Sequence, residues 1–385
     1  MRALLPTLTF TLAALALPAL AAPDEEALGK LGYKPCKDVL ASLSPEECIV
    51  WVMTHYEAIY PAHKVQKGAA PRALKRAAQE PALELDMFLA ENRNTGLLVM
   101  RGDTVLAERY QYQRTAESRF VSMSMAKTLV ALLVGIALHE KKIASIDDPV
   151  QTYVPELKGH PYGETPIRHM LTMSSGVKFD EIYGGDSDMM RMANALLFQK
   201  GPAGAAAMLP YNKRVAEAGK RWSYSSGDTF VLGLVVRGAT GRSLSDYFSE
   251  KIWQPMGAEA DAGWNIDPAG NETGWFCFSA TLRDWARLGL LLADRGARDG
   301  KQVIPAEWVK AATSAQGPSP GYGYQTWVHM QGDRFHLRGL RGQAVWVHPA
   351  TRTVVVHTAV YRIGWQAAVT AQGNFFDAVL KTLGN

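Results

Sequence analysis

The sequence has little of what marks several common classes of protein. It holds only three cysteines, no CxxC pair and no HExxH motif, and its nine histidines are dispersed. A zinc site or metal catalysis is therefore not expected, and nothing in the sequence calls for a cofactor. Lysine and arginine total 41 against 37 acidic residues and are scattered rather than clustered, so we expect no nucleic-acid partner, which would need a basic patch.

What is present is ordinary globular composition. Of the 385 residues, 47% are hydrophobic and 20% are charged. A chain of this length can bury a large core and fits one large domain or two intimate subdomains.

The first 21 residues predict a signal peptide. Arg2 precedes an apolar stretch over 3–17, and Ala19 and Ala21 supply the small residues of a cleavage site. An uncleaved anchor is the alternative, but prolines interrupt the stretch and it is too short to span a bilayer well. No cysteine directly follows the site, so no lipid anchor is expected. We expect a periplasmic or secreted protein without a membrane span after cleavage.

Export would permit disulfides. Cys36 and Cys48 flank a short segment and could close a loop, although sequence alone cannot fix the pairing. Cys277 is left over and is expected to be a small buried hydrophobe.

The chain divides into an N-terminal extension over 22–90 and a main domain over 91–385. Residues 95–112 predict a β-hairpin around a Gly-Asp turn, and four strand-like runs lie after residue 320. A mostly helical subdomain is expected over about 140–275, and the chain ends in a helix. Strands segregated from helices predict an α/β or α+β fold: an antiparallel sheet flanked by helices, with a helical insertion.

The run over 120–142, FVSMSMAKTLVALLVGIALHEKK, permits three interpretations: a membrane segment, a core helix with an exposed lysine, or a nucleophile with its base. Its apolar part, 129–138, is too short for a membrane span. It is apolar nearly all round, which predicts a helix buried in protein.

Ser124 and Lys127 lie at the start of this helix with i, i+3 spacing, on one face. A desolvated lysine can lose its proton and activate a serine, and the Ser124 N–H could stabilise an oxyanion. The alternative is a capping serine with a solvated lysine. SxxK alone is a weak signal, and a second copy, Ser175 to Lys178, contains glycine and precedes no apolar helix.

Two later segments carry groups that a Ser–Lys site would need. Tyr224 lies in the loop WSYSSGD and could relay a proton if a nearby ammonium lowered its pKa; an interface tyrosine is the alternative. Near the C-terminus, LRGLRGQ (337–343) enters a strand, and glycine there would let a ligand approach the backbone. A simple strand bulge is the alternative.

A Ser-His-Asp esterase would need a nucleophile elbow. The single GxSxG sequence is Gly317-Pro-Ser319-Pro-Gly321, whose prolines cannot form a strand–turn–helix elbow. His348 and His357, on predicted strands, are interpreted as structural.

SxxK, then a Tyr-x-Ser loop, then a glycine-containing strand is the order of motifs in serine β-lactamases and penicillin-binding proteins. Over roughly 90–385 the chain resembles class C β-lactamase-related serine hydrolases, in particular 6-aminohexanoate-dimer hydrolases. The supporting stretches are IRHMLTMSSGVKFDE, WSYSSGDTFVLG, SATLRDWARLGLLLADRG and GLRGQAVWVHP. The resemblance implies a β-lactamase/DD-peptidase-like fold.

The resemblance also implies roles. Ser124 resembles the acylated nucleophile, Lys127 its general base, and Tyr224 the residue that protonates the leaving group. Ser226 stands where lactamases usually have asparagine, and Tyr183 lies in a loop that borders the substrate in this branch.

The Lys-Thr-Gly strand triad of β-lactamases falls at Leu337-Arg338-Gly339, which makes the Leu340 N–H the second oxyanion donor. Gly342 and Gln343 are competing positions. The triad lysine is absent, although Arg338 or Arg341 could substitute for it. The absence of the lysine favours a small amide, ester or peptide-like substrate, and a β-lactamase or DD-peptidase-type penicillin-binding protein is the alternative. A non-catalytic binding protein on the same fold is a further alternative.

Overall fold

The structure is a computed structural model that describes residues 22–29, 48–362 and 366–384. The strands are β1 Ala62–Val65, β2 Lys75–Arg76, β3 Asn94–Arg101, β4 Thr104–Tyr110, β5 Phe120–Val121, β6 Ala262–Asn265, β7 Phe278–Ala280, β8 Ala297–Arg298, β9 Lys301–Gln302, β10 Trp327–Val328, β11 Phe335–Gly339, β12 Gln343–His348 and β13 Thr353–Ala359. The α-helices are α1 Ile49–Val52, α2 Tyr56–Ile59, α3 Leu85–Glu91, α4 Ala126–His139, α5 Pro161–Glu164, α6 Ile167–Leu171, α7 Asp188–Leu196, α8 Ser226–Thr240, α9 Leu244–Phe248, α10 Gln254–Met256, α11 Leu282–Ala293, α12 Ala306–Ala312 and α13 Gln366–Thr382.

A seven-stranded sheet forms the centre of the fold, in the order β10-β11-β12-β13-β3-β4-β2. Its neighbours are antiparallel except β2, which runs parallel to β4. The predicted hairpin is β3 and β4, and the predicted C-terminal strands include β11, β12 and β13, so the α/β fold class with an antiparallel sheet is confirmed.

Helices cover both faces of this sheet, which explains why β3 is buried at seven of its eight residues and β13 at all seven, without alternation. Leu98 and Met100 face the main core. Leu97 and Val99 face the opposite side, where they pack with α13 in a smaller core. The period of two residues in a strand sends neighbours to opposite faces, so the consecutive apolar residues at the centre of β3 serve both cores.

A second sheet of four short strands, in the order β1-β6-β7-β5, was not predicted as a separate unit. Its edge strand β5 pairs with β7, Phe120 opposite Ala280, and leads directly into the segment that contains Ser124. The second sheet therefore fixes the entry to α4.

Helix α4 is buried along 12 of its 14 residues, from Ala126 to Ala137, which confirms the prediction of a protein-buried helix. Gly135 lets it approach the Trp308 ring, whose Nε1 donates to the Ala131 carbonyl at 2.9 Å. Burial of each leucine or valine contributes about 1.5–3 kcal/mol to the free energy of folding. The helix is therefore firmly packed and supports the residues at its start. None of the helices in the described part of the chain is long and apolar enough to cross a bilayer.

The described part of the N-terminal extension lies on both sheets, because β1 pairs with β6 and β2 with β4. Ala22 and Leu28 are buried, and Asp24 pairs with Arg93 at 2.6 Å. Cys48 is disulfide-bonded, whereas Cys277 is a free, buried thiol as predicted.

Two predictions concern segments that the structure does not describe. Cys36, the predicted partner of Cys48, and the predicted signal peptide both lie outside the described residues. The domain boundaries at 21 and 90 also remain predictions.

Candidate active site

A cleft of about 450 Å³ opens where the end of β11 meets the helical region. Its lining residues are Ser124, Glu181, Tyr183, Tyr224, Trp327, Arg338, Gly339, Leu340, Arg341, Gly342, Tyr361, Arg362, Val369 and Gln372. Most residues proposed from the sequence therefore share one cavity, although they come from segments more than two hundred residues apart.

Ser124 lies in a 3-10 turn, Met123–Met125, that joins β5 to α4. Because the first N–H groups of a helical segment have no acceptor in a preceding turn, the Ser124 N–H can face a ligand. Its side chain is partly exposed to the cleft, whereas Lys127 beneath it is only 1% exposed. Lys127 Nζ donates to Ser124 Oγ at 2.9 Å and to the Trp275 carbonyl at 3.1 Å.

Burial lowers the pKa of Lys127 from 10.5 to about 8, and the negative charge of Glu181 opposes the shift. A substantial share of neutral amine is therefore available close to neutral pH. An amine within hydrogen-bond distance of a partly exposed serine is the arrangement needed to accept the serine proton.

Tyr224 lies just before α8, with its hydroxyl near Ser124. The Tyr224 ring stacks on the Trp327 ring with 5.8 Å between their centroids. Lys127 Nζ lies 5.0 Å from the centroid of the Tyr224 ring. The sequence predicts a proton relay at Tyr224 on the condition that a nearby ammonium lowers its pKa, and the structure does not meet that condition. Burial and the Glu181 charge raise it, against smaller opposing effects of Ser124 and Arg338. Tyr224 therefore remains a neutral phenol that can donate a proton.

Glu181 is a residue that the sequence reasoning missed. Its carboxylate accepts from the Ser226 N–H at 2.7 Å, the Ser226 hydroxyl at 2.5 Å and the Tyr183 hydroxyl at 3.0 Å. Ser226 is the first residue of α8, where the helix dipole favours an anion. Glu181 thus connects the Tyr183 loop to the segment that carries Tyr224. The hydroxyl and the backbone N–H of Ser226 both donate to Glu181.

Gly339 lets the end of β11 lie against the Ser124 turn. A Cβ atom at this position would be 2.4 Å from the Ser122 carbonyl oxygen and 2.7 Å from the Met123 Cβ. Leu340 follows, and it lines the cleft together with Ser124. This close packing places the backbone at the end of β11 next to the backbone of the turn that contains Ser124.

Hydrogen bonds from two buried side chains fix the segment after Leu340. The Gly342 carbonyl accepts from His357 Nδ1 at 2.7 Å and from Gln372 Nε2 at 2.9 Å. Burial lowers the pKa of His357 to about 4, so it is neutral and structural, as interpreted from the sequence. Of the two competing positions, Gly342 lines the cleft, whereas the Gln343 side chain is buried and donates to the Ala359 carbonyl.

The two arginines of this segment differ in surroundings. Arg338 lies in the cleft with its guanidinium 5.7 Å from the Trp327 ring centroid. No carboxylate or other acceptor among the described residues bonds to its side chain. Arg341 is 7% exposed and donates to the Tyr361 carbonyl at 3.0 Å. Arg338 is thus the better placed of the two to meet an anionic group.

The other sequence candidates lie elsewhere. Ser175 of the second SxxK is buried and donates to Asp228 at 2.9 Å, while Lys178 is exposed. Ser319 of the GxSxG sequence lies in a loop outside the cleft. Within the described ranges no group of three or more His, Cys, Asp or Glu side chains could hold a metal ion.

Comparisons with known proteins show the family to which the chain belongs. The β-lactamase family model matches residues 89–362. A 6-aminohexanoate-dimer hydrolase from Paenarthrobacter ureafaciens is 29% identical over 293 residues, which are 71% of this chain and 74% of that protein. Two solved structures share the fold: a Bacillus anthracis protein proposed to be a 6-aminohexanoate-dimer hydrolase (TM-score 0.80, 23% identity, 91% of this chain and 98% of that one) and a penicillin-binding protein from Bacillus halodurans (TM-score 0.60, 17% identity, 76% and 100%). The chain belongs to the β-lactamase family and is a hydrolase of the superfamily that unites β-lactamases with penicillin-binding proteins.

Proposed function

We propose that this protein is an exported serine hydrolase that cleaves a small amide or ester through an acyl-enzyme on Ser124. The observation that carries the proposal is the 2.9 Å contact between the buried Lys127 amine and the Ser124 hydroxyl, at the floor of an open cleft. Nucleophile and base at hydrogen-bond distance are the signature of covalent catalysis.

Acylation begins when neutral Lys127 takes the Ser124 proton while the Ser124 oxygen attacks the substrate carbonyl. The carbonyl oxygen becomes an oxyanion, which the N–H groups of Ser124 and Leu340 stabilise. The close packing of Gly339 on the Ser124 turn supports this pair. Donors aimed at a developing oxyanion typically contribute about 100- to 1000-fold each.

Tyr224 donates a proton to the leaving nitrogen or oxygen, and Lys127 restores the tyrosine proton. The raised pKa of Tyr224 supports this role, because the phenol stays protonated until the leaving group becomes basic. Water then attacks the acyl-enzyme, with the same groups working in reverse.

The amide substrate class is supported by the Paenarthrobacter relative, whose name gives the dimer of 6-aminohexanoate. One observation favours a second candidate, a β-lactamase or DD-peptidase. Arg338, the cleft guanidinium described above, could bind the carboxylate of a β-lactam. Nitrocefin and p-nitrophenyl ester assays on one preparation separate these activities: the proposal expects ester turnover to exceed β-lactam turnover.

The test of the mechanism is labelling with a fluorophosphonate, followed by mass spectrometry of the Ser124 peptide. Wild type and a Ser319→Ala control should be labelled and active, and Ser124→Ala should be neither. Full activity in Ser124→Ala would overturn the mechanism. A wild-type protein with no label would point to a binding protein.

Export is supported by the sequence of the first 21 residues. Expression of the full chain in a Gram-negative host, followed by fractionation and N-terminal sequencing, should give a periplasmic or secreted protein beginning at Ala22. An intact N-terminus in the cytoplasmic fraction would contradict it.

A further inference from the structure

Ser124 also borders a second, much smaller cavity, which Tyr224 does not line. The cavity has a volume of about 20 Å³ and shares only Ser124, Tyr183 and Leu340 with the main cleft. We call it the methionine slot. Its other walls include the apolar side chains of Met123, Met189, Met190, Ala193, Phe198 and Phe276.

The two cavities differ in chemistry. The cleft holds Glu181 and Arg338, whereas no charged side chain of the described chain lines the slot. Tyr224 also lines the cleft and not the slot. A substrate bound at Ser124 therefore meets a cleft that contains charged side chains and a slot that contains none among the described residues.

Under the proposed function, the position of Tyr224 sets the direction of the substrate. Because Tyr224 protonates the leaving group and lines only the cleft, the leaving group lies in the cleft and the slot is left for the acyl group. We propose that the methionine slot binds the acyl group of the substrate, that it selects short, uncharged aliphatic acyl groups, and that Met190 and Met189 set the accepted length. This inference rests on the proposed function and adds the acyl specificity of the same site.

The size of the slot gives the expected order of substrates. Its volume is about that of one water molecule, so an acetyl methyl group fits it without rearrangement. Met189 and Met190 are 6% and 4% exposed, and unbranched thioether side chains can change rotamer to admit a few more carbons. Each buried methylene is worth about fourfold in binding until the slot is full.

The same walls exclude charge. An ammonium or carboxylate at the end of the acyl chain would lose its hydration and find no side chain of opposite charge among the described residues of the slot, and burial of an unpaired charge is costly. The Glu181 oxygens are already bonded to Ser226 and Tyr183.

The experiment compares kcat/KM for p-nitrophenyl acetate, butyrate, hexanoate and octanoate in wild type, Met190→Ala and Met192→Ala. Met192 is fully buried on the same helix but does not line the slot, which makes it a matched control. We expect wild type and Met192→Ala to prefer acetate or butyrate. Met190→Ala should move the optimum to a chain longer by two or more carbons and raise octanoate turnover at least about tenfold, in keeping with several added methylenes.

A second arm compares hexanoyl with 6-aminohexanoyl p-nitrophenyl esters, and the expected preference for the uncharged ester is at least about tenfold. An unchanged chain-length profile in folded Met190→Ala, or a preference for the charged ester, would overturn the inference. Failure of the proposed function has another signature: no ester is turned over and Ser124 is not labelled.

Discussion

The pKa of Lys127 gives the sharpest quantitative prediction. Its value of about 8, compared with 10.5 for an ordinary lysine, makes about one tenth of the amine neutral at pH 7, against about one three-thousandth for an unperturbed lysine. If neutral Lys127 is the base, the acylation rate should rise about tenfold between pH 7 and pH 9 and then level off.

Glu181 supplies a perturbation of known sign. Its charge raises the Lys127 pKa, so Glu181→Gln should move the midpoint of the pH profile below that of wild type. Glu217→Gln, a change at an exposed position outside the cleft, should leave the midpoint in place.

The assay is the second-order rate of Ser124 labelling by an uncharged fluorophosphonate between pH 6 and 10. Labelling reports attack by Ser124 alone and leaves deacylation out. A profile that is flat from pH 6.5 to 9, or a midpoint above 10, would refute the role of Lys127 as a neutral base. A midpoint in Glu181→Gln equal to or above that of wild type would refute the electrostatic account.

Two further predictions concern packing at glycines, and a third concerns the pH dependence of stability. Gly339→Ala should cut kcat/KM about 100-fold or more while the protein stays folded by circular dichroism, because a Cβ at 2.4 Å from the Ser122 carbonyl pushes β11 from the Ser124 turn; activity within a few-fold of wild type would contradict it. Gly135→Ala should lower the free energy of unfolding by about 1–3 kcal/mol in urea, since its Cβ would overlap the Trp308 ring; unchanged stability would show that the ring can move. Because the folded-state pKa of Lys127 lies below the unfolded one, wild type should gain about 3 kcal/mol relative to Lys127→Met as pH rises from 8 to 10.5; parallel urea-denaturation curves for the two proteins across this range would contradict it.

The elements predicted best from the sequence are those with local signals. The hairpin of β3 and β4 follows from two apolar runs around Gly102. The start of α11 has a local Thr-x-x-Asp capping pattern, in which the Thr281 side chain accepts from the Asp284 N–H. The four-stranded sheet escaped prediction because its strands are two to four residues long and pair across the chain, Ala62 with Asn265.

The site residues also divide into those with a local sequence signal and those without one. Ser124 and Lys127 are predictable because i, i+3 spacing at a helix start places them together whatever the rest of the chain does. Glu181 contacts Ser226 from 45 residues away in sequence, and no local sequence pattern predicts such a contact. The direction of the Tyr224 pKa shift could not be predicted for a related reason: burial and the carboxylate of Glu181 decide it, and neither is visible in the loop sequence.

The most direct test of the central claim is to trap the acyl-enzyme. Protein mixed with p-nitrophenyl acetate and quenched in acid within milliseconds should carry one acetyl group, located by peptide mass spectrometry on Ser124. The burst of p-nitrophenolate should match the number of acetylated sites, and Ser124→Ala should show neither. Turnover of the ester with no acetyl group on Ser124, or with the group on another residue, would contradict the account.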